Sequence, residues 1–216
     1  MQDKTKAIIS AIFSLDSGFM KACERIFDFA MLNLLFVVSC LPVVTIGVAK
    51  LSLFTCLNQM AETGHLAPWA DYSQAFKRNF REGIKLGLVE VLVIGFCLLD
   101  IILLSQVMSP AAQVIKILSF GVLILVTMTS LYLYPIASRY QLGLKELVWK
   151  SFLLASLHTP KTLLMLAVLG GLFLAMTSST TALLGGLSLL TIIGWVLLAY
   201  LNHHLVRKAL DQSLQS

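Results

Sequence analysis

Charge is scarce in this sequence: Asp, Glu, Lys and Arg make up 12% of its 216 residues. A soluble domain carries about a quarter, and a chain of this length would need a polar surface to stay in water. The few charges fall in clusters separated by long apolar runs, and 58% of the residues are hydrophobic. Lipid is the solvent that suits such a chain. Cysteine is also scarce. Cys23, Cys40, Cys56 and Cys97 form no C-x-x-C pair, so they read as free thiols in or beside apolar segments, not as a redox or metal motif. An H-E-x-x-H helix, a Walker loop, a Rossmann glycine pattern and a G-x-S-x-G elbow are all missing. No catalytic activity, cofactor or metal is therefore expected. His203 and His204 are neighbours whose side chains leave a helix about 100° apart, so the pair alone is no chelate. The net charge is +5, but no basic stretch is interleaved with aromatics as a nucleic-acid surface would require. The expected partner for those cations is the anionic lipid surface. Asp16, Lys21, Glu24 and Arg25 precede the first strong apolar run, which is not the layout of a cleavable signal peptide. That run is expected to be retained.

What is present predicts an all-α, polytopic transmembrane helical bundle, a single membrane domain over residues 1–216. About five spans are expected, at residues 29–48, 84–108, 112–137, 161–176 and 182–201, since about 20 apolar residues cross the roughly 30 Å hydrocarbon layer. Pro42 lies inside the first and removes a helical hydrogen bond, which predicts a kink or break at Leu41–Pro42. Lys50 then marks an interface. Pro135 interrupts the third span near its end. Between the spans run amphipathic stretches suited to the membrane interface. They are residues 5–28; the segment with Tyr72, Phe76 and Phe80 opposite Lys77, Arg78 and Arg81; and residues 138–160. A faint echo links Pro42, Phe76 and a new span to Pro135, Phe152 and a new span, the pattern of an internal repeat.

Lys and Arg set the orientation. Residues 57–85 carry Lys77, Arg78, Arg81 and Lys85; residues 138–161 carry Arg139, Lys145, Lys150 and Lys161; the turns at 109–111 and 177–181 carry none. The basic segments are expected in the cytoplasm, with Lys77, Arg78, Arg81 and Arg139 as a cytoplasmic basic surface. Five crossings put the N-terminus outside, against the pull of Lys4, Lys6, Lys21 and Arg25. A re-entrant segment at Pro42 puts both ends inside.

Ionisable groups within spans are costly and mark candidate sites. Asp100 and Lys116 flank the Ser109–Pro110 turn, close enough for a hairpin ion pair, with Lys116 otherwise snorkelling to the interface. Glu90 is expected to pair with Lys85 or Arg81. Asn33 is positioned to hydrogen-bond between helices, and Gly170–Gly171 and Gly185–Gly186 to let helices approach.

Three stretches carry a resemblance. Leu15-Asp16-Ser17, Asn33-Leu34-Leu35 and Leu41-Pro42-Val43-Val44-Thr45-Ile46-Gly47 resemble the opening of the YesL family. Ala75-Phe76-Lys77-Arg78-Asn79-Phe80 resembles its second signature, and Ser151-Phe152 through Thr162-Leu163-Leu164 is similar to its third. The family comprises bacterial integral membrane proteins without an assigned activity, often found with genes for carbohydrate uptake and breakdown. The resemblance supplies no catalytic residues. It implies a multi-pass protein of the bacterial inner membrane, acting as an accessory or scaffold in carbohydrate uptake with a carbohydrate transporter as possible partner. The alternative reading is a small solute transporter or channel subunit.

Overall fold

A computed structural model describes residues 23–107, 109–140 and 142–213, with side chains to residue 207. Most of the amphipathic stretch expected at 5–28, and Leu15-Asp16-Ser17, lie outside them. The described residues form helices and no strand. Helix α1 occupies residues 23–40. A single 3₁₀ turn (Val43–Thr45) leads into α2 (Ile46–Thr63), followed by α3 (Pro68–Arg78), α4 (Phe80–Leu103), α5 (Pro110–Ala137), α6 (Leu144–Leu157), α7 (Thr159–Thr177) and α8 (Thr180–Leu189). A π turn over Leu190–Gly194 joins α8 to α9 (Trp195–Ser213). Five stretches are long and apolar enough to cross a membrane: Val43–Thr63, Phe80–Leu103, Pro110–Ala137, Thr159–Thr177 and Thr180–Arg207.

Local chemistry sets the boundaries. Gly64 ends α2 at φ 73°, and its N–H returns to the Met60 carbonyl at 3.0 Å; only glycine takes this conformation without cost. Pro68 opens α3 in the first turn, where its missing N–H is not needed. Asp71 accepts the Ala67 N–H at 2.8 Å in that same turn. Tyr72, Phe76 and Phe80 stack along one side with centroids 6.2 and 6.0 Å apart.

The first expected span, 29–48, is not a single span. Along α1, Phe29 meets Tyr200 and Phe36 meets Trp195, at 5.5 and 6.2 Å, so α1 runs antiparallel to α9. Along α2, Gly47 meets Gly83 and Gly87 while Thr55 meets Asn79, so α2 runs antiparallel to α4. Helix α4 hairpins into α5, and α7 hairpins into α8–α9, which returns Asn202 to Leu131 near the end of α5. Helices α1 and α2 are therefore antiparallel to each other. The chain reverses at Leu41–Thr45, so the break expected at Leu41–Pro42 is present and forms the tip of a helical hairpin. Thr45 fastens that tip by donating to the carbonyls of Ser39 (2.7 Å) and Pro42 (2.8 Å). The tip packs beside the first half of α4, far from its end at Leu103.

Pro135 does the opposite and leaves α5 continuous. The ring removes the N–H that Leu131 would have received. Asn202 on α9 donates its Nδ2 to that Leu131 carbonyl at 2.8 Å. The two prolines thus occupy unlike positions, which removes the support they gave to an internal repeat.

The buried core gathers around α2, with Leu51, Cys56 and Leu57 at 2% exposure or less. Apolar residues on the outer faces of α4, α5 and α7, such as Phe96, Ile117 and Phe173, stay exposed, as expected where lipid supplies the contact. The helices come closest at Gly47, Gly83 and Gly87. A Cβ at Gly87 would stand 2.6 Å from Gly47 Cα, and one at Gly83 would stand 2.5 Å from Val48 Cα. The expected packing glycines Gly170, Gly171 and Gly185 face open space; of that set only Gly186 meets a neighbour, the Met176 side chain.

Candidate functional site

Glu90 lies ten residues into α4, roughly 15 Å along its axis, and three side chains converge on its carboxylate. Lys50 on α2 donates from Nζ to Oε1 at 2.9 Å. Ser130 on α5 donates to the same oxygen at 2.9 Å. Tyr134, one turn further along α5, donates to Oε2. The Lys50 ammonium also sits 5.0 Å above the Tyr134 ring, a cation–π contact that adds to the ion pair. The Glu90 side chain is 10% exposed. A carboxylate in this setting would be untenable without those donors.

The expected partners of Glu90 were Lys85 or Arg81, the nearest cations along the helix. Both are exposed, and the partner is Lys50. Sequence distance misled because the hairpin at Pro42 folds α2 back along α4. Read as an interface marker, Lys50 instead stands inside the bundle. The available signal was its place in an unbroken apolar stretch, from Val43 to Leu57, in which it is the single charge.

The other candidates are scattered. Asp100 does not pair with Lys116: among the described residues the ion pairs are Lys50–Glu90 and the exposed Glu146–Lys150. Asp100 instead accepts from Ser119 at 3.3 Å, at the edge of an open crevice of about 440 Å³ between α4 and α5. Asn33 bonds across helices, donating to the Leu190 and Thr191 carbonyls at 3.0 and 2.7 Å and accepting the Val196 N–H at 3.0 Å. These are backbone groups that the π turn leaves out of register, so Asn33 and the π turn account for each other. Lys77, Arg78 and Arg81 are exposed, as a basic surface requires, but Arg139 is half-buried and donates from Nε to Asn58 at 3.2 Å. Asn58 in turn donates to Ser138 at 2.5 Å. His203 is buried, with no partner for Nε2 among the described residues.

The family-like motifs hold this architecture. Pro42 and Thr45 make the hairpin tip, Gly47 makes the crossing with α4, and Asn79 donates to Thr55 at 2.9 Å to lock the α3–α4 joint onto α2. Beside the Glu90 cluster lies a cavity of about 330 Å³, walled by α1, α2, α4, α5, α7 and α9 and including Phe36, Lys50, Ser130, Trp195 and Asn202. A second cavity, of about 160 Å³, touches Glu90 and Ser130 from the α6 side.

A family model described as "Protein of unknown function, DUF624" matches residues 29–101. That segment contains the hairpin tip, Lys50, the glycine crossing and Glu90. The chain is 27% identical over 187 residues to "Uncharacterized protein YesL" of Bacillus subtilis (strain 168), covering 84% of this chain and 88% of the relative. No solved structure matches the chain.

Proposed function

We propose, from its similarity to the YesL family, that this chain is a non-enzymatic accessory component of the bacterial inner membrane, held beside a carbohydrate uptake system. The carbohydrate class rests on the family resemblance. The accessory role rests on one observation, the basic and aromatic end of the bundle. There Lys77, Arg78, Arg81, Lys145 and Lys150 are exposed, and Trp69 and Trp149 project at 66% and 65% exposure. Helix α6 is held by a narrow stripe of Leu147, Ser151 and Ala155, which leaves its remaining faces for headgroups or a docked protein. Affinity capture from native membranes tests this. Wild type is expected to bring down a transport component, and the triple variant Lys77→Glu, Arg78→Glu, Arg81→Glu is expected to lose it. Recovery of no such component, under conditions that keep known membrane complexes together, contradicts the accessory role.

One observation favours a second reading, a small solute transporter. Glu90 and Ser130 form the shared wall of the two cavities, so a movement of the Glu90 side chain would join them. Reconstituted flux separates the readings: a transporter loses solute uptake in Glu90→Gln, while an accessory protein carries none to lose.

A further inference from the structure

We infer that the larger cavity is a binding site for a neutral, hydroxyl-bearing amphiphile drawn from the bilayer. The polar groups on its wall dictate the headgroup. An ammonium has three donors; Lys50 gives one to Glu90, and beyond its contact with the Tyr134 ring the other two have no hydrogen-bond acceptor among the described residues. Asn202 spends one amide N–H on the Leu131 carbonyl, and its Oδ1 remains an acceptor. Hydroxyl groups suit both, since a hydroxyl oxygen accepts from an ammonium and its O–H donates to an amide oxygen.

Charge excludes the obvious alternative. Lys50 is already matched by Glu90, so a carboxylate or phosphate would enter as a third ion with no countercharge in a medium that solvates ions poorly. The remaining wall dictates the body of the ligand. Phe36, Phe54, Met165 and Trp195 are apolar or aromatic, and a volume of about 330 Å³ falls at the lower end of small-molecule sites, roughly 300–1,000 Å³. The neighbouring helices present apolar faces to the lipid, so the ligand is one that already dissolves there. This site stands apart from the accessory role: partner capture can fail while binding persists, and the reverse.

Fluorescence in nanodiscs tests it. Trp69 and Trp149 are changed to Phe, which leaves Trp195 at the cavity as the reporter. The probe is 11-bromoundecanol, whose bromine quenches a nearby indole, and 11-bromoundecanoate at pH 8 is its anionic counterpart. Saturable quenching by the alcohol is expected, with the anion at least tenfold weaker. Ala199→Phe fills the cavity and is expected to abolish the saturable part. The paired change Lys50→Met with Glu90→Gln, which leaves no unmatched charge, is expected to lose the discrimination between alcohol and anion. Quenching that rises only in proportion to probe in the bilayer, or that is unchanged in both folded variants, overturns the site; so does equal affinity for the anion.

Discussion

At the scale of single residues, the structure turns on one matched pair of charges. Removing one member of a buried ion pair strands the other, at a cost of about 3–5 kcal/mol, whereas removing both is often close to neutral. Lys50→Met should therefore lower stability by about 3 kcal/mol, and adding Glu90→Gln should restore most of it. Reversible unfolding in mixed detergent–SDS micelles measures both; a paired loss equal to the sum of the two single losses would mean the pair is not coupled. Ser151 is a second residue with a clear expectation. Its side chain is wholly buried and its hydroxyl has no partner among the described residues. An unsatisfied buried hydroxyl costs about 1–3 kcal/mol, so Ser151→Ala should raise stability by about 1 kcal/mol in the same assay. Residues of this kind are hard to read from sequence. Glu90 stood out as an acid inside an apolar run, but its partner lies 40 positions away, across a chain reversal that Pro42 announced only as one of two readings.

At the scale of helices, glycine contacts and one irregular turn do the positioning. Gly47, Gly83 and Gly87 let two backbones touch. Gly83→Ala should cost about 3 kcal/mol, at the upper end for overpacking, because the atoms it meets are backbone and cannot rotate away. Gly170→Ala and Gly171→Ala meet nothing within 4 Å and should be neutral or gain up to about 1 kcal/mol from helix propensity. A thermal shift series across these variants separates crossing glycines from free ones. Sequence alone could not, since a glycine in an apolar run looks the same in either role. The π turn makes a sharper prediction. Deleting Ile192 should return Leu190–Gly194 to an α-helix and withdraw the carbonyls that Asn33 bonds. Bonds of this type in membranes are worth about 0.6 kcal/mol each, so with three of them lost the expected destabilisation is about 2 kcal/mol. Asn33→Ala should cost about the same, and the two changes together little more than either. Fully additive losses would show that Asn33 and the turn are independent.

At the scale of the whole molecule, hydropathy and charge clustering made the class legible: long apolar stretches predict membrane helices, and those helices are present. The hairpin was less visible. Proline inside an apolar run signals a break but not the angle of the chain beyond it. That angle is set by Thr45 at the tip and by Gly47 against α4, which are contacts made only after folding. The consequence is global. Because α1 runs antiparallel to α2 and to α9, residue 23 and residue 207 emerge at the same end of the bundle, together with α3, α6 and their basic side chains. The turns around Ser105 and Ser178, which lack Lys and Arg, lie at the other. This arrangement places every Lys/Arg-rich connection on one side of the bilayer.

Thiol labelling with a membrane-impermeant reagent tests that arrangement most directly. Four variants would each carry one cysteine, at native Cys23 or through Ser105→Cys, Ser178→Cys or Arg207→Cys, with the remaining cysteines changed to serine. In right-side-out and inverted vesicles, positions 23 and 207 should label from the cytoplasmic face, and 105 and 178 from the opposite face. Labelling of position 23 from the side of 105 and 178 would contradict the hairpin, and with it the meeting of Lys50 and Glu90.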